Sequence, residues 1–310
     1  MKTTLDLPAS QPGLRASPLA LSSIHTHTLF CDGRDNIEEM CRAAFEKGLC
    51  AVGFSAHAPV EKAGLKTDWH LKEERLSEYA EEVGRAKARW QGRLSVFLGL
   101  ELDYIRGLRC ARDADIQAFA PDYIISSVHY LIPPKGEPFT IDGPAWELEK
   151  GLTQGFGGDS EALAGAYWDA VIEMAGLGGF DIVGHLDLIK KHSGFMPGKA
   201  AVLKIDREGA FYTGRAQEAA RAIAAAGLIV EVNTGGMNRG HFNEPCPSPA
   251  ILRLLREHGA KVLLSADAHK AGDIDGHYEQ GLSAIADAGF AGHILPGEAD
   301  GKLLWREQFF

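Results

Sequence analysis

Seven short apolar runs recur along this chain, at residues 21–26, 51–55, 95–100, 123–127, 180–184, 229–233 and 262–266, rich in β-branched and aromatic residues. Most are separated by stretches rich in Ala, Glu, Lys and Arg, over 37–47, 71–90, 162–177, 207–226 and 249–258, which read as helices. Gly227 follows the fourth of these and His258-Gly259 ends the fifth, so a small residue stands where the chain must leave each helix. Alternation of this kind favours parallel strands joined by helical crossovers. A chain of 310 residues is long enough for one α/β barrel with insertions.

The same runs lead into metal-binding residue types. The first ends in His25-Thr26-His27, and alternate residues of a strand share a face, so two imidazoles at this spacing can chelate one ion. Alone that pair is a weak signal. His57, Glu101, His129 and His185 close the next four runs, and Asp267 and His269 close the last. Asn233 closes the sixth and is read as orienting other groups. In a parallel barrel the C-terminal strand ends meet at one face, so these residues converge. The pattern therefore predicts a polynuclear metal site and a metallohydrolase.

Charge and composition narrow the partners. Lys and Arg number 32 against 42 Asp and Glu, a formal charge of -10, which argues against a groove tracking nucleic acid and for a small substrate held by local cations. No apolar stretch approaches the ~20 residues that cross a bilayer. The five cysteines, Cys31, Cys41, Cys50, Cys110 and Cys246, form no CxxC pair, so reduced thiols and a cytoplasmic location are expected. Cys31, beside the first motif, is expected to pack below the site and not to ligate. Nothing in the sequence decides the oligomeric state.

Residues 1–20 are expected to form a flexible leader without a signal peptide, because Pro8, Pro12 and Pro18 interrupt any apolar run. Residues 21–310 are expected to form one barrel domain. Within it, prolines at 133, 134, 138 and 144 and glycines at 151, 155, 157 and 158 break both periods, so 131–161 is expected to be an inserted loop serving as a lid. Its glycine run lacks the Gly-Lys-Ser/Thr ending of a P-loop.

Taken in order, the motifs His25-Thr26-His27-Thr28 with Cys31-Asp32-Gly33, Ser55-Ala56-His57-Ala58-Pro59, Gly99-Leu100-Glu101-Leu102-Asp103-Tyr104, Ser127-Val128-His129, Gly184-His185-Leu186-Asp187-Leu188-Ile189-Lys190, Glu231-Val232-Asn233-Thr234-Gly235-Gly236 and Ser265-Ala266-Asp267-Ala268-His269 resemble those of the polymerase and histidinol phosphatase (PHP) superfamily. The loop Phe139-Thr140-Ile141-Asp142-Gly143-Pro144 and the stretch from Tyr167-Trp168 to Lys190 resemble its histidinol-phosphatase branch. The resemblance implies a distorted (βα)7 TIM-like barrel holding two to three divalent ions, Zn, Mn or Fe. It implies that His25, His27, Glu101 and Asp267 hold one ion, that Glu101 bridges to a second held by His129 and His185, and that Asp32, His57 and His269 hold a third. Asp32 departs from the commoner pattern, in which a histidine stands near that place.

The expected chemistry is hydrolysis of a phosphomonoester by metal-activated hydroxide attack on phosphorus, with L-histidinol phosphate as the substrate and histidine biosynthesis as the setting. Further cations must face the phosphate. Arg239, Lys190 and Lys191 are the candidates, with Asn233 beside them; for each lysine a solvated surface charge is the plainer alternative. Asp187 and His192 are candidates for orienting ligands or passing a proton to the leaving group. His70, His258, His277 and His293 have no strand-end context and receive no role, while His241 is left open. Two rival readings keep the site: a phosphatase acting on another small ester or a nucleotide, and a metal-binding module without catalysis.

Overall fold

The computed structural model describes residues 19–194 and 201–310; most of the expected 1–20 leader therefore lies outside the described residues. Seven strands pair in parallel: β1 (Ser22–Ser23), β2 (Ala51–His57), β3 (Ser95–Asp103), β4 (Tyr123–Ser127), β7 (Ile182–Val183), β8 (Ile229–Asn233) and β9 (Lys261–Ser265). β5 (Tyr130–Leu131) and β6 (Phe139–Thr140) form a separate antiparallel ribbon. Just beyond β1 and β9, the His27 amide donates to Ala268 O at 2.8 Å and the Ala268 amide to His25 O at 3.1 Å. These bonds bring the two edges together, and the sheet becomes a nearly closed (βα)7-type barrel.

Strand alternation sorts side chains between the barrel axis and the helices. Along β3, Val96 and Leu100 join the helix-facing core, whereas Phe97 joins an inner cluster with Ile125, Ile182, Ile229 and Leu263. Two residues further along the same inner side comes Gly99, and two further Glu101. Tyr123 fills the middle of the barrel: a Cβ on Gly53 or Gly99 would lie 2.4 or 2.3 Å from its side chain. Glycine at both positions lets that ring lie across the interior. The barrel is therefore apolar below, aromatic at mid-height, and lined by ligand-type residues above.

The helices are α1 (Ile37–Glu46), α2 (Leu76–Trp90), α3 (Ala114–Phe119), α4 (Ala145–Phe156), α5 (Ser160–Leu177), α6 (Ala210–Ala225), α7 (Gly235–Asn238), α8 (Pro249–Glu257) and α9 (Tyr278–Asp287). Caps set several of the starts. Asn36 and Glu39 form a reciprocal capping box on α1, Asp159 caps α5, and Pro249 opens α8. Beyond α9, β10 (Gly292–Ala299) and β11 (Lys302–Phe309) form a hairpin. Ile294, Leu303 and Trp305 pack against the inner apolar cluster, so the hairpin covers the end of the barrel opposite the ligand-type residues. Trp305 Nε1 donates to Asp181 Oδ1 at 3.4 Å beside β7.

The 131–161 stretch, expected as an irregular loop, contains the β5–β6 ribbon and the 12-residue helix α4. Glycine normally weakens a helix interior, yet here it permits close packing. A Cβ on Gly151 would lie 2.4 Å from the Phe139 ring, and one on Gly155 would lie 2.4 Å from Pro133 Cβ. Tertiary packing outweighs the breaker signals that pointed to a loop.

Candidate metal centre

Glu101 follows Phe97 and Gly99 on the inner row of β3, and its two carboxylate oxygens face two groups of histidines. Oε2 lies 3.2 Å from His25 Nε2, 3.5 Å from His27 Nε2 and 3.0 Å from His57 Nδ1. Oε1 lies 2.9 Å from His185 Nε2 and 3.6 Å from His129 Nε2. Asp267, at φ +47° in the left-handed region, sets Oδ1 3.3 Å from His27 Nε2 and 3.7 Å from His25 Nε2. Asp32, the most exposed of these acids, has Oδ2 3.0 Å from His269 Nε2 and Oδ1 3.5 Å from His27 Nδ1 and 3.7 Å from His57 Nε2. All nine residues that the sequence singled out as ligands thus meet at one mouth of the barrel.

The donor set fits divalent metal. Potential ligand atoms within 4.8 Å of one another form four overlapping groups: His27, Asp32, His57 and His269; His25, His27 and Asp267; His25, Glu101 and His185; and His57, Glu101 and His129. His25 Nε2, His27 Nε2, His57 Nδ1 and Glu101 Oε2 are buried without a hydrogen-bond partner among the described residues. Buried polar atoms left unpaired carry a desolvation penalty, and four of them converging on one point is the arrangement a cation relieves. Imidazole and carboxylate without sulfur suit Zn, Mn or Fe.

Burial and charge act against each other here. Burial disfavours ionised Glu101, but His25, His57 and His129 outweigh it and hold the carboxyl well below its ordinary pKa. Burial, reinforced by His269 and His57, pushes His27 down to about 3, leaving a neutral imidazole able to ligate. The Cys31 Sγ lies 3.5 Å from His27 Nδ1, yet burial raises this thiol to about 12, so it stays protonated.

A further ring of buried groups holds the candidate ligands by hydrogen bonds, and sequence reasoning gave it no role. Glu231 Oε2 accepts from His25 Nδ1 at 2.7 Å and from Ser265 Oγ at 2.7 Å, while Oε1 accepts from the His185 amide at 2.5 Å. Asp103 stands 2.6 Å from His129 Nδ1 and 2.5 Å from His70 Nε2. Ser127 Oγ donates to Glu101 Oε1 at 2.7 Å. Carboxylates behind ligand histidines fix ring orientation and tautomer. The signal was present in strand alternation: Asp103 lies two residues beyond Glu101, and Glu231 two before Asn233. His70, set aside for want of a strand end, reaches Asp103 from the loop before α2 and has Thr67 Oγ1 2.5 Å from its other nitrogen.

The expected substrate contacts divide. Arg239 and Lys191 line a cleft of about 1050 Å³ that opens over the ligands, bordered also by Asp142, Trp69 and Trp146. Arg239 is anchored by Asp267, donating to Oδ2 at 2.8 Å and to the main-chain carbonyl at 3.0 Å. Lys190 is fully buried away from the cleft: its ammonium meets Asp187 Oδ2 at 3.1 Å, Glu244 Oε1 at 3.3 Å and Pro245 O at 2.8 Å. Those partners occupy the ammonium that was expected at phosphate. Asp187, expected at the chemistry, also accepts from the Ser248 amide at 2.9 Å and lies in that same buried cluster. Asn233 Nδ2 donates to Glu231 Oε1 at 2.9 Å and Asp267 Oδ2 at 3.3 Å, so it orients carboxylates in preference to touching phosphate. His192 Nε2 lies 3.0 Å from Gly143 O on the insert.

Comparison with known proteins places these features in a wider group. A profile of the PHP domain matches residues 23–235. A protein of Deinococcus radiodurans named "Probable histidinol-phosphatase" is 30% identical over 273 residues, covering 87% of this chain and 94% of its own. The histidinol-phosphatase of Bacillus subtilis is 25% identical over 268 residues, 82% of this chain and 96% of that one. Among solved structures, histidinol phosphate phosphatase from Lactococcus lactis, complexed with Zn, L-histidinol and phosphate, superposes with a TM-score of 0.66 at 22% identity, covering 92% of this chain and 99% of that one.

Proposed function

Because the chain belongs to the PHP domain family, we propose that it is a metal-dependent phosphomonoester hydrolase that converts L-histidinol phosphate to L-histidinol and phosphate. The observation that carries this reading is Glu101, whose two oxygens face separate histidine groups beneath an open cleft. In this reading His25, His27, Glu101 and Asp267 would hold one ion, Glu101 with His129 and His185 would hold a second, and Asp32, His57 and His269 would hold a third. Zinc is the first choice, since the L. lactis complex carries it, with Mn and Fe compatible with the same donors. Bound there, such ions supply water activation at neutral pH and neutralise phosphoryl charge.

The chain's own groups account for the remainder. Glu231 and Asp103 keep Nδ1 of His25 and His129 occupied, so that each Nε2 points toward Glu101. Arg239, held by Asp267, presents its guanidinium to the cleft as a phosphate clamp, and Lys191 adds a point charge. The insert at 131–161 acts as a wall and lid over the leaving group. A cytoplasmic enzyme of histidine biosynthesis fits this chemistry; among the described residues no helix is long and apolar enough to cross a membrane.

The purified protein loaded with Zn or Mn should release phosphate from L-histidinol phosphate faster than from nucleoside monophosphates. Absence of turnover with every divalent metal, at a site shown to be occupied, would sink the proposal. Faster turnover of nucleotides would move the substrate and leave the reaction class standing.

A further inference from the structure

Asp142 and Lys191 stand side by side on the cleft wall, brought there from different parts of the chain. Lys191 belongs to the 3-10 turn Leu188–His192 after β7, and Asp142 follows β6 on the insert. The ammonium of Lys191 donates to Asp142 Oδ1 at 2.7 Å and to the Asp142 main-chain carbonyl. One residue earlier, the Ile141 amide donates to His129 O at 2.8 Å, which tethers the acid next to a ligand histidine. The Asp142 side chain is 41% exposed and that of Lys191 14%, so the pair opens onto the cleft. The Lys191 ammonium is mostly enclosed and held by two Asp142 oxygens, whereas the Asp142 carboxylate is open to the cleft, so a charged ligand entering there meets the acid and can exchange partners with the pair.

We propose that this ion pair selects the leaving group: on binding it opens, Lys191 turning to the substrate phosphate and Asp142 to a protonated amine on the same molecule. The inference rests on the histidinol-phosphate reading and names the specificity-determining residue within it. In L-histidinol phosphate the carbon bearing the amine is bonded to the carbon bearing the ester oxygen. The substrate's opposite charges are therefore neighbours, as Lys191 and Asp142 are. A substrate carrying both charges gives each protein group a new partner. An ester carrying phosphate alone draws off Lys191 and leaves the Asp142 carboxylate unpaired close to the phosphate, so binding is penalised twice, by lost pairing and by like charge. Nucleoside monophosphates, with no cation beside the phosphate, are disfavoured by the same account.

The test compares kcat/KM for L-histidinol phosphate with that for its deamino analogue, which keeps imidazole and phosphate but lacks the ammonium, in the metal-loaded wild type, Asp142→Asn and Asp142→Glu. The wild type should prefer the amine-bearing ester by at least about tenfold. Asp142→Asn should abolish that preference, mainly by raising KM for L-histidinol phosphate, and Asp142→Glu should restore part of it. Folding of each variant is checked by circular dichroism and thermal melting. A wild type that cleaves both esters with a preference Asp142→Asn leaves unchanged overturns the inference alone. A wild type that cleaves neither ester overturns the parent reading and this inference with it.

Discussion

Glu231 holds His25 from beneath, with Oε2 2.7 Å from Nδ1, and the same carboxylate accepts hydrogen bonds from the His185 amide, Ser265 and Asn233. Two histidines and one neighbouring acid, Asp267 through Asn233, therefore depend on one buried side chain. Replacement by Gln keeps the size but puts an amide donor where only donors approach. Glu231→Gln should lower metal affinity by roughly 10–100-fold with the fold retained. Metal content after dialysis against graded chelator measures this; unchanged retention would remove Glu231 from the site's support.

Glu101→Gln should have a larger effect. It neutralises the charge that both histidine groups share, so kcat/KM should fall well beyond the roughly 100-fold expected of an outer orienting residue. The far-UV spectrum should be unchanged. A variant retaining a tenth or more of wild-type activity would rule out the bridging arrangement.

His293 makes a prediction about acid stability. Its ring is buried in β10, packs against Phe310, and has no hydrogen-bond partner on either nitrogen among the described residues. Burial lowers its pKa from 6.5 to about 4. Above pH 6.5 the ring is neutral in both folded and unfolded chains, so nothing is lost. As the pH falls from 6.5 toward 4 the unfolded chain takes up the proton first, and stability declines by up to about 3 kcal/mol. Urea unfolding of wild type and His293→Leu should therefore diverge in favour of the variant between pH 7 and pH 4.5. Parallel curves would show that the ring is solvated.

Gly151→Ala sets two effects against each other. Alanine favours the interior of α4 by about 1 kcal/mol, but its Cβ would meet the buried Phe139 ring at 2.4 Å. Overpacking at about 1–3 kcal/mol should outweigh propensity, giving a net loss near 1 kcal/mol and a displaced insert. Calorimetry should show a lower Tm together with a raised KM; an increase in Tm would mean that the ring yields freely.

The barrel was readable because strands buried among helices carry dense apolar runs, and the cluster of candidate ligands was readable because all but Asp32 sit at or just past the end of such a run. Glu231 and Asp103 went unassigned although they obey the same alternation, since a carboxylate behind a histidine leaves no spacing rule of its own. Lys190 could not be separated from Lys191 in sequence. One residue of offset on the 3-10 turn sends the first into the cluster of Asp187 and Glu244 and the second into the cleft. Helix α4 was hidden because its glycines answer to Phe139 and Pro133, partners set by tertiary packing. The β10–β11 hairpin was missed because it follows the last strand that carries a ligand.

The bridge between Thr26 and Ala268 joins segments separated by most of the described chain. Contacts of such high sequence separation form late, after the loop entropy between them has been lost. His25 and His27 are synthesised early, but Asp267 and His269 cannot reach them until the final parallel strand has docked. A nascent chain is therefore expected to present these imidazoles singly, with the candidate centre complete only once the two barrel edges have met. Metal uptake should accordingly report barrel closure in a refolding experiment, trailing helix formation in time.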